Sequence, residues 1–123
     1  MSICSPNAVN EEAFSYYRGL GRLNKFCQEH FQHDIDLQEA ADICGFERTY
    51  FCTYFHLKVG VCFKCWLGIL RVTHAKQLIK SKNQAITNIA YDAGFGSLSS
   101  FERTFKRSTG MTPMEYKQLM KPS

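Results

Sequence analysis

Arg103, Lys106 and Arg107 stand in a stretch, LSSFERTFKRS (residues 98–108), where charged and hydroxyl side chains interleave with phenylalanines. Phe101 and Phe105 are four apart, so on a helix they share one face and leave Ser99, Ser100, Glu102, Arg103, Lys106 and Arg107 on the other. An arginine fork on such a face matches the O6 and N7 acceptors of guanine. A lysine or arginine beside it meets phosphate. Residues 48–59, RTYFCTYFHLKV, repeat the arrangement. Phe51 and Phe55 face inward, while Thr49, Tyr50, Cys52, Thr53 and His56 remain outside, and His56 is in reach of a phosphate. Catalysis has nothing comparable: there is no Gly-rich phosphate loop, no nucleophile–base pair at a recognisable spacing and no carboxylate dyad with context. An enzyme is not expected.

Two smaller constellations carry alternatives. Cys62-Phe63-Lys64-Cys65 is a C-x-x-C at a helix start, where amide dipoles favour a thiolate, as in redox motifs. Zinc needs about four ligands, and no second C-x-x-C exists; Cys44 and Cys52 complete a set only if the fold brings them near. Cys44 and Cys65 also fall on apolar positions, which fits a core. Cys27, His30, His33 and Asp34 have a spacing that fits either a metal cluster or ordinary residues at a helix end. The expectation is no metal and no cofactor.

The elements that must position these side chains are written twice. Ala41, Gly45 and Phe46 recur 49 places later as Ala90, Gly94 and Phe95. Phe51, Phe55 and Gly60 recur 50 places later as Phe101, Phe105 and Gly110, so the second copy has one extra residue in its turn. Each copy reads as a short amphipathic helix, a Gly-Phe turn, a second helix with aromatics four apart, and a closing Gly, the outline of a helix-turn-helix. Asp36 with Glu39 marks an N-terminus before a helix over 37–44. Ser97 caps a helix over 98–108, and Thr112, Pro113 and Glu115 form a capping signature. Ala85 is a poor cap for 86–93. Between the copies the apolar spacing predicts a linker helix over 63–80, broken by the polar run SKNQ. Ahead of them, Tyr16, Leu20, Leu23, Cys27 and Phe31 predict a first helix ending near Gln32, weakened by Gly19 and Gly21 at about 1 kcal/mol each. No segment alternates with period two. The fold class expected is all-α: a seven-helix tandem helix-turn-helix domain, two three-helix subdomains joined by a long linker helix. Its parts are a flexible tail over 1–11, a first subdomain over 12–61, the linker over 62–81 and a second subdomain over 82–123.

Charge sharpens the partner. Residues 1–47 hold three basic and eight acidic side chains, a net of −5; residues 48–123 hold twelve basic and three acidic, a net of +9, giving the chain's +4. A polyanion suits the second part. At 45% hydrophobic residues the 123-residue chain can bury a core. No apolar run reaches 18 residues, so no membrane span is expected. The start, MSICSPNAVNEEAF, lacks a signal-peptide pattern. A cytoplasmic address follows as an expectation, and there the six cysteines are expected to be thiols.

Two helix-turn-helix units in tandem point to double-stranded DNA. The major groove admits one helix, with the preceding helix bracing on the backbone. An 18-residue linker helix is roughly 27 Å long, close to the approximately 34 Å between successive major grooves. One monomer then reaches both, on an asymmetric site about two turns long. The stretch ITNIAYDAGFGSLSSFERTFKRSTGMTPMEYK resembles the C-terminal signature of the AraC family of bacterial transcription regulators. DIDLQEAADICGF and VGVCFKCWLGILRVTHAKQLI resemble that family's first unit and linker helix, so the likeness covers about residues 20–119. The resemblance implies seven helices, monomer-like DNA binding, and activation through RNA polymerase. It places base reading on Thr49, Cys52, Thr53, Ser99, Ser100, Glu102 and Arg103; backbone contacts fit Arg48, Tyr50, Ser97, Lys106 and Arg107, with His56 beside them. Cys52 and Thr53 stand where the family more often has long polar readers, so the second unit is expected to carry most of the preference. The length resembles members without an effector domain. The alternative reading is an interaction module that binds another regulator or polymerase without reading DNA.

Overall fold

In the computed structural model, which describes residues 8–81 and 84–120, the doubled pattern becomes a doubled core. The described helices are α1 (Glu12–Tyr16), α2 (Arg18–His30), α3 (Leu37–Cys44), α4 (Arg48–Val59), α5 (Phe63–Ser81), α6 (Ile86–Asp92), α7 (Leu98–Thr109) and α8 (Pro113–Met120), and no strand occurs among the described residues. The all-α, double helix-turn-helix architecture is therefore as expected. Leu20 and Leu23 of α2, Ala40 and Ala41 of α3, Phe51, Phe55 and Val59 of α4, and Phe63, Trp66 and Leu67 of α5 pack into one cluster. Val72, Ala75 and Ile79 of α5, Ile89 and Ala90 of α6, Phe95, and Phe101 and Phe105 of α7 form the other. α5 thus serves the first core with its beginning and the second with its end.

The aromatic pairs hold α4 and α7 in place. Phe51, Phe55, Phe101 and Phe105 are all fully buried. Phe55 meets Phe51 and Phe63 at 5.6 Å and Trp66 at 5.8 Å between ring centroids. Phe105 meets Phe101 at 5.6 Å and Tyr116 of α8 at 5.5 Å. Burying one such ring is worth about 1.5–3 kcal/mol, so the inner face of each of these helices is its main anchor.

Local chemistry sets the ends. The Glu39 amide donates to Asp36 Oδ1 at 2.8 Å, and the Ser100 amide donates to Ser97 Oγ at 3.1 Å. Thr112 and Glu115 bond reciprocally at 2.9 and 3.1 Å, closing the capping box of α8. Ala85 gives α6 no side-chain cap. α4 is capped by Glu47, a residue the sequence reading passed over. The extra residue of the second copy is Gly96, which separates Phe95 from the cap Ser97, whereas Glu47 follows Phe46 directly.

The first segment departs from expectation. One helix through Tyr16 is replaced by two, because Tyr17 is extended (φ −100°, ψ 120°), and the described count is eight. The cause lies in Phe14, which packs on Trp66 at 5.0 Å and takes the core place expected for Tyr16, now 81% exposed. α2 runs intact through Gly19 and Gly21. These glycines are packing positions: a Cβ on Gly21 would lie 2.9 Å from Phe14 O. Of the expected tail, residues 1–7 lie outside the described residues, but Asn10 is tied down by donating from its amide to Val59 O at 2.7 Å. Lys82 and Asn83 of the polar break, and Pro122, also lie outside them.

Cys27, Cys44, Cys52 and Cys62 are free thiols. Cys65 corrects the expectation of thiols throughout, since it is disulfide-bonded. It does not pair with Cys62. Cys62, half-buried just before α5, and Cys65, buried one turn in, both pack on the first core, but the Cys62 thiol is free, so the C-x-x-C is not closed on itself.

Candidate nucleic-acid interface

With their phenylalanines buried, α4 and α7 present the opposite faces to solvent. On α7, Ser99, Glu102, Arg103, Lys106 and Arg107 are exposed and Ser100 is half-buried. On α4, Arg48, Thr49, Tyr50, Thr53 and His56 are exposed and Cys52 is half-buried. Ser97 is exposed, with its hydroxyl already accepting the capping bond of α7. Tyr50 leans its ring on Phe46 at 5.0 Å. All thirteen side chains picked out in the sequence reach these surfaces at least in part.

Each helix borders a hollow that reaches the start of α5. A groove beside α4 is lined by Cys52, Thr53, His56, Leu57 and Cys62. A cleft of about 310 Å³ between α5 and α7 is lined by Cys62 again, with Lys64, Gly68, Ser100, Thr104 and Arg107. Cys62 borders both, so the two hollows adjoin at the start of α5. Thr104 approaches closely enough that a Cβ on Gly68 would lie 3.1 Å from its Cγ2.

A seam fixes the two units against each other. Arg71 of α5 donates from Nε to Phe31 O and from a terminal nitrogen to His33 O, both at 3.0 Å. Gln32 Nε2 donates to Asp92 O at the end of α6 at 2.9 Å. The ring of His74 stacks on Phe31 at 3.8 Å and 7°. Burial depresses the basicity of both Arg71 and His74, and nearby Asp34 works against this for Arg71.

Electrostatics distinguish the two units. The carboxylate of Glu47 accepts from the amides of Thr49 and Tyr50 at 3.0 and 3.3 Å, which holds its pKa below the ordinary range. The first amides of α4 are thus occupied by the protein's own anion, while α7 begins with a neutral serine. Burial pushes the Cys27 thiol up to about 12 and the Cys44 thiol to about 11, so both are structural. Among the described residues no group of three His, Cys, Asp or Glu side chains is arranged to hold a metal ion. No helix among them is long and apolar enough to cross a membrane.

A family described as helix-turn-helix domain matches residues 40–119, two thirds of the chain and both units. The chain belongs to the AraC family of DNA-binding transcription regulators. A helix-turn-helix-type transcriptional regulator of Staphylococcus aureus is 34% identical over 99 residues, covering 78% of this chain and 13% of that protein. ExsA of Pseudomonas aeruginosa is 31% identical over 101 residues, covering 82% of this chain and 36% of ExsA. The chain therefore spans only a minor part of these regulators. A crystal structure of an AraC-type DNA-binding domain protein from Chromobacterium violaceum is similar in fold, with a TM-score of 0.79, 20% identity, and coverage of 89% of this chain and 98% of that one.

Three positions that shape these faces and the seam are not marked as such in the sequence. Glu47 was passed over because glutamate is not among the usual capping residues. Leu57, 74% exposed, lies on the outward face of α4, where periodicity marks it but an apolar type disguises it. Arg71 sits in the apolar register of α5, and its partners are carbonyls 38 and 40 residues away.

Proposed function

We propose that this AraC-family chain binds double-stranded DNA as a monomer, with α4 and α7 in successive major grooves of an asymmetric site about two turns long. The single observation that carries the proposal is that α4 and α7, each with its aromatic face buried and its polar face exposed, border hollows that adjoin at Cys62. The 19 residues of α5 span roughly 28 Å, close to the distance between grooves. Base contacts fall to Thr49, Cys52 and Thr53 on α4 and to Ser99, Ser100, Glu102 and Arg103 on α7. Arg103 is the first candidate, as a fork for guanine. Arg48, Tyr50, His56, Ser97, Lys106 and Arg107 serve the phosphates, joined by Lys64 at the cleft. On this reading the chain works on the bacterial nucleoid in the cytoplasm, needs no cofactor, and activates transcription through contacts with RNA polymerase. The first 47 residues, with a net charge of −5, are the part of the chain suited by charge to a protein partner.

Salt dependence tests the proposal. Four or five phosphate contacts give a slope of log affinity against log salt of roughly −3 to −5. A slope near zero, with binding to a protein partner instead, would replace this reading with that of an interaction module.

A further inference from the structure

The two outward faces differ in kind, position for position. Fifty residues separate Thr49 from Ser99, Cys52 from Glu102, Thr53 from Arg103, His56 from Lys106 and Leu57 from Arg107. Where α7 offers three cations, α4 offers a threonine, a histidine and a leucine. Leu57 is 74% exposed, and it lines a groove with Cys52, Thr53, His56 and Cys62. Thr53 Oγ1 donates back to Thr49 O at 3.4 Å, the usual bond of a threonine inside a helix. With its proton so engaged, the Thr53 hydroxyl keeps only an acceptor oxygen, and its γ-methyl stands beside it. α4 therefore brings an apolar notch where α7 brings charge.

We infer that α4 reads its half of the site through the 5-methyl groups of thymines, seated against Thr53, Leu57 and Cys52. Thymine is the base whose major-groove edge carries an apolar group, and threonine methyls and other small apolar groups are its natural partners. The inference rests on the two-groove reading above. It adds that the half-site facing α4 is defined by thymines, and that Leu57 is a specificity residue although it makes no hydrogen bond. The first amides of the helix are not free for a phosphate, because the Glu47 carboxylate already occupies them.

The test uses the full chain and a duplex site selected from a random library. Arg103→Ala first identifies the half facing α7, as the half whose preference it relaxes. Each thymine in the other half is then replaced by deoxyuridine, which removes only the methyl. The expected result is a loss of about fourfold in affinity per contacted methyl, the equivalent of one buried methylene group. Thr53→Ser, which keeps the hydroxyl, and Leu57→Ser each bring discrimination at their own thymine below twofold. Specific binding with discrimination under twofold at every thymine overturns the methyl reading and leaves the two-groove reading standing. Discrimination unchanged in both variants overturns its assignment to this notch. Failure to select any site overturns both readings.

Discussion

Gly94→Ala probes the seam between the two units. Gly94 has φ +97°, and its counterpart Gly45, at φ +77°, is also left-handed. A non-glycine residue in the left-handed region costs about 1–2 kcal/mol at either place. Their surroundings differ. A Cβ on Gly45 meets nothing within 4 Å, whereas on Gly94 it collides with Phe31 O and lies 3.0 Å from Gln32 Cα and 3.2 Å from Arg71 Nε. Two of those neighbours are backbone, so the end of α2 must move, and with it the carbonyl that Arg71 Nε holds at 3.0 Å. Losing a hydrogen bond to a half-buried charged group adds about 1.5–3 kcal/mol. Gly94→Ala should therefore destabilise by about 2.5–5 kcal/mol against about 1–2 kcal/mol for Gly45→Ala. Urea unfolding of both variants measures the difference directly. In DNA binding, Gly94→Ala should also loosen the preferred spacing between the two halves of the site. Equal destabilisation by the two substitutions would refute the seam as the element that joins the units.

The remaining predictions concern reading, packing and pH. Arg103→Ala should cost about 1–3 kcal/mol on a specific duplex and flatten preference at one base position, whereas Lys106→Ala should weaken all sequences alike; competition binding against random DNA separates them. Phe101→Ala, at a fully buried position, should destabilise by about 3–5 kcal/mol in thermal or urea unfolding. Amide hydrogen bonds hold the Glu47 and Glu115 carboxyls below their ordinary value of 4.5. Because the folded state is the one with the lowered pKa, their stabilisation is fully present above that value and is lost as pH falls below it. Glu47→Gln and Glu115→Gln should each flatten the acid limb of a stability–pH profile, and an unchanged limb would contradict these cap assignments.

What the sequence disclosed was what local chemistry decides. The ranges of α3 and α4 follow from Asp36, the glycines and the Phe51–Phe55 spacing, and the structure places them where those signals point. The break at Tyr17 was hidden, because it depends on Phe14 docking against Trp66, 52 residues away. The outward faces of α4 and α7 were legible, since four-residue spacing of aromatics fixes the inner face and hence the outer one. That the hollows beside α4 and α7 adjoin at Cys62 was not, because it depends on how α5 leaves the first core. Leu57 and Arg71 stayed out of view for a common reason: each has a residue type at odds with its place, an apolar group outside and a cation within.

The central claim is that one chain carries two reading helices acting on one duplex. Site selection from a random duplex library, followed by affinity of the selected site at two salt concentrations, tests it most directly. The prediction is an asymmetric motif about two helical turns long, thymine-defined in one half and guanine-containing in the other, with affinity falling steeply with salt. A motif confined to one half, or binding indifferent to salt, would contradict it.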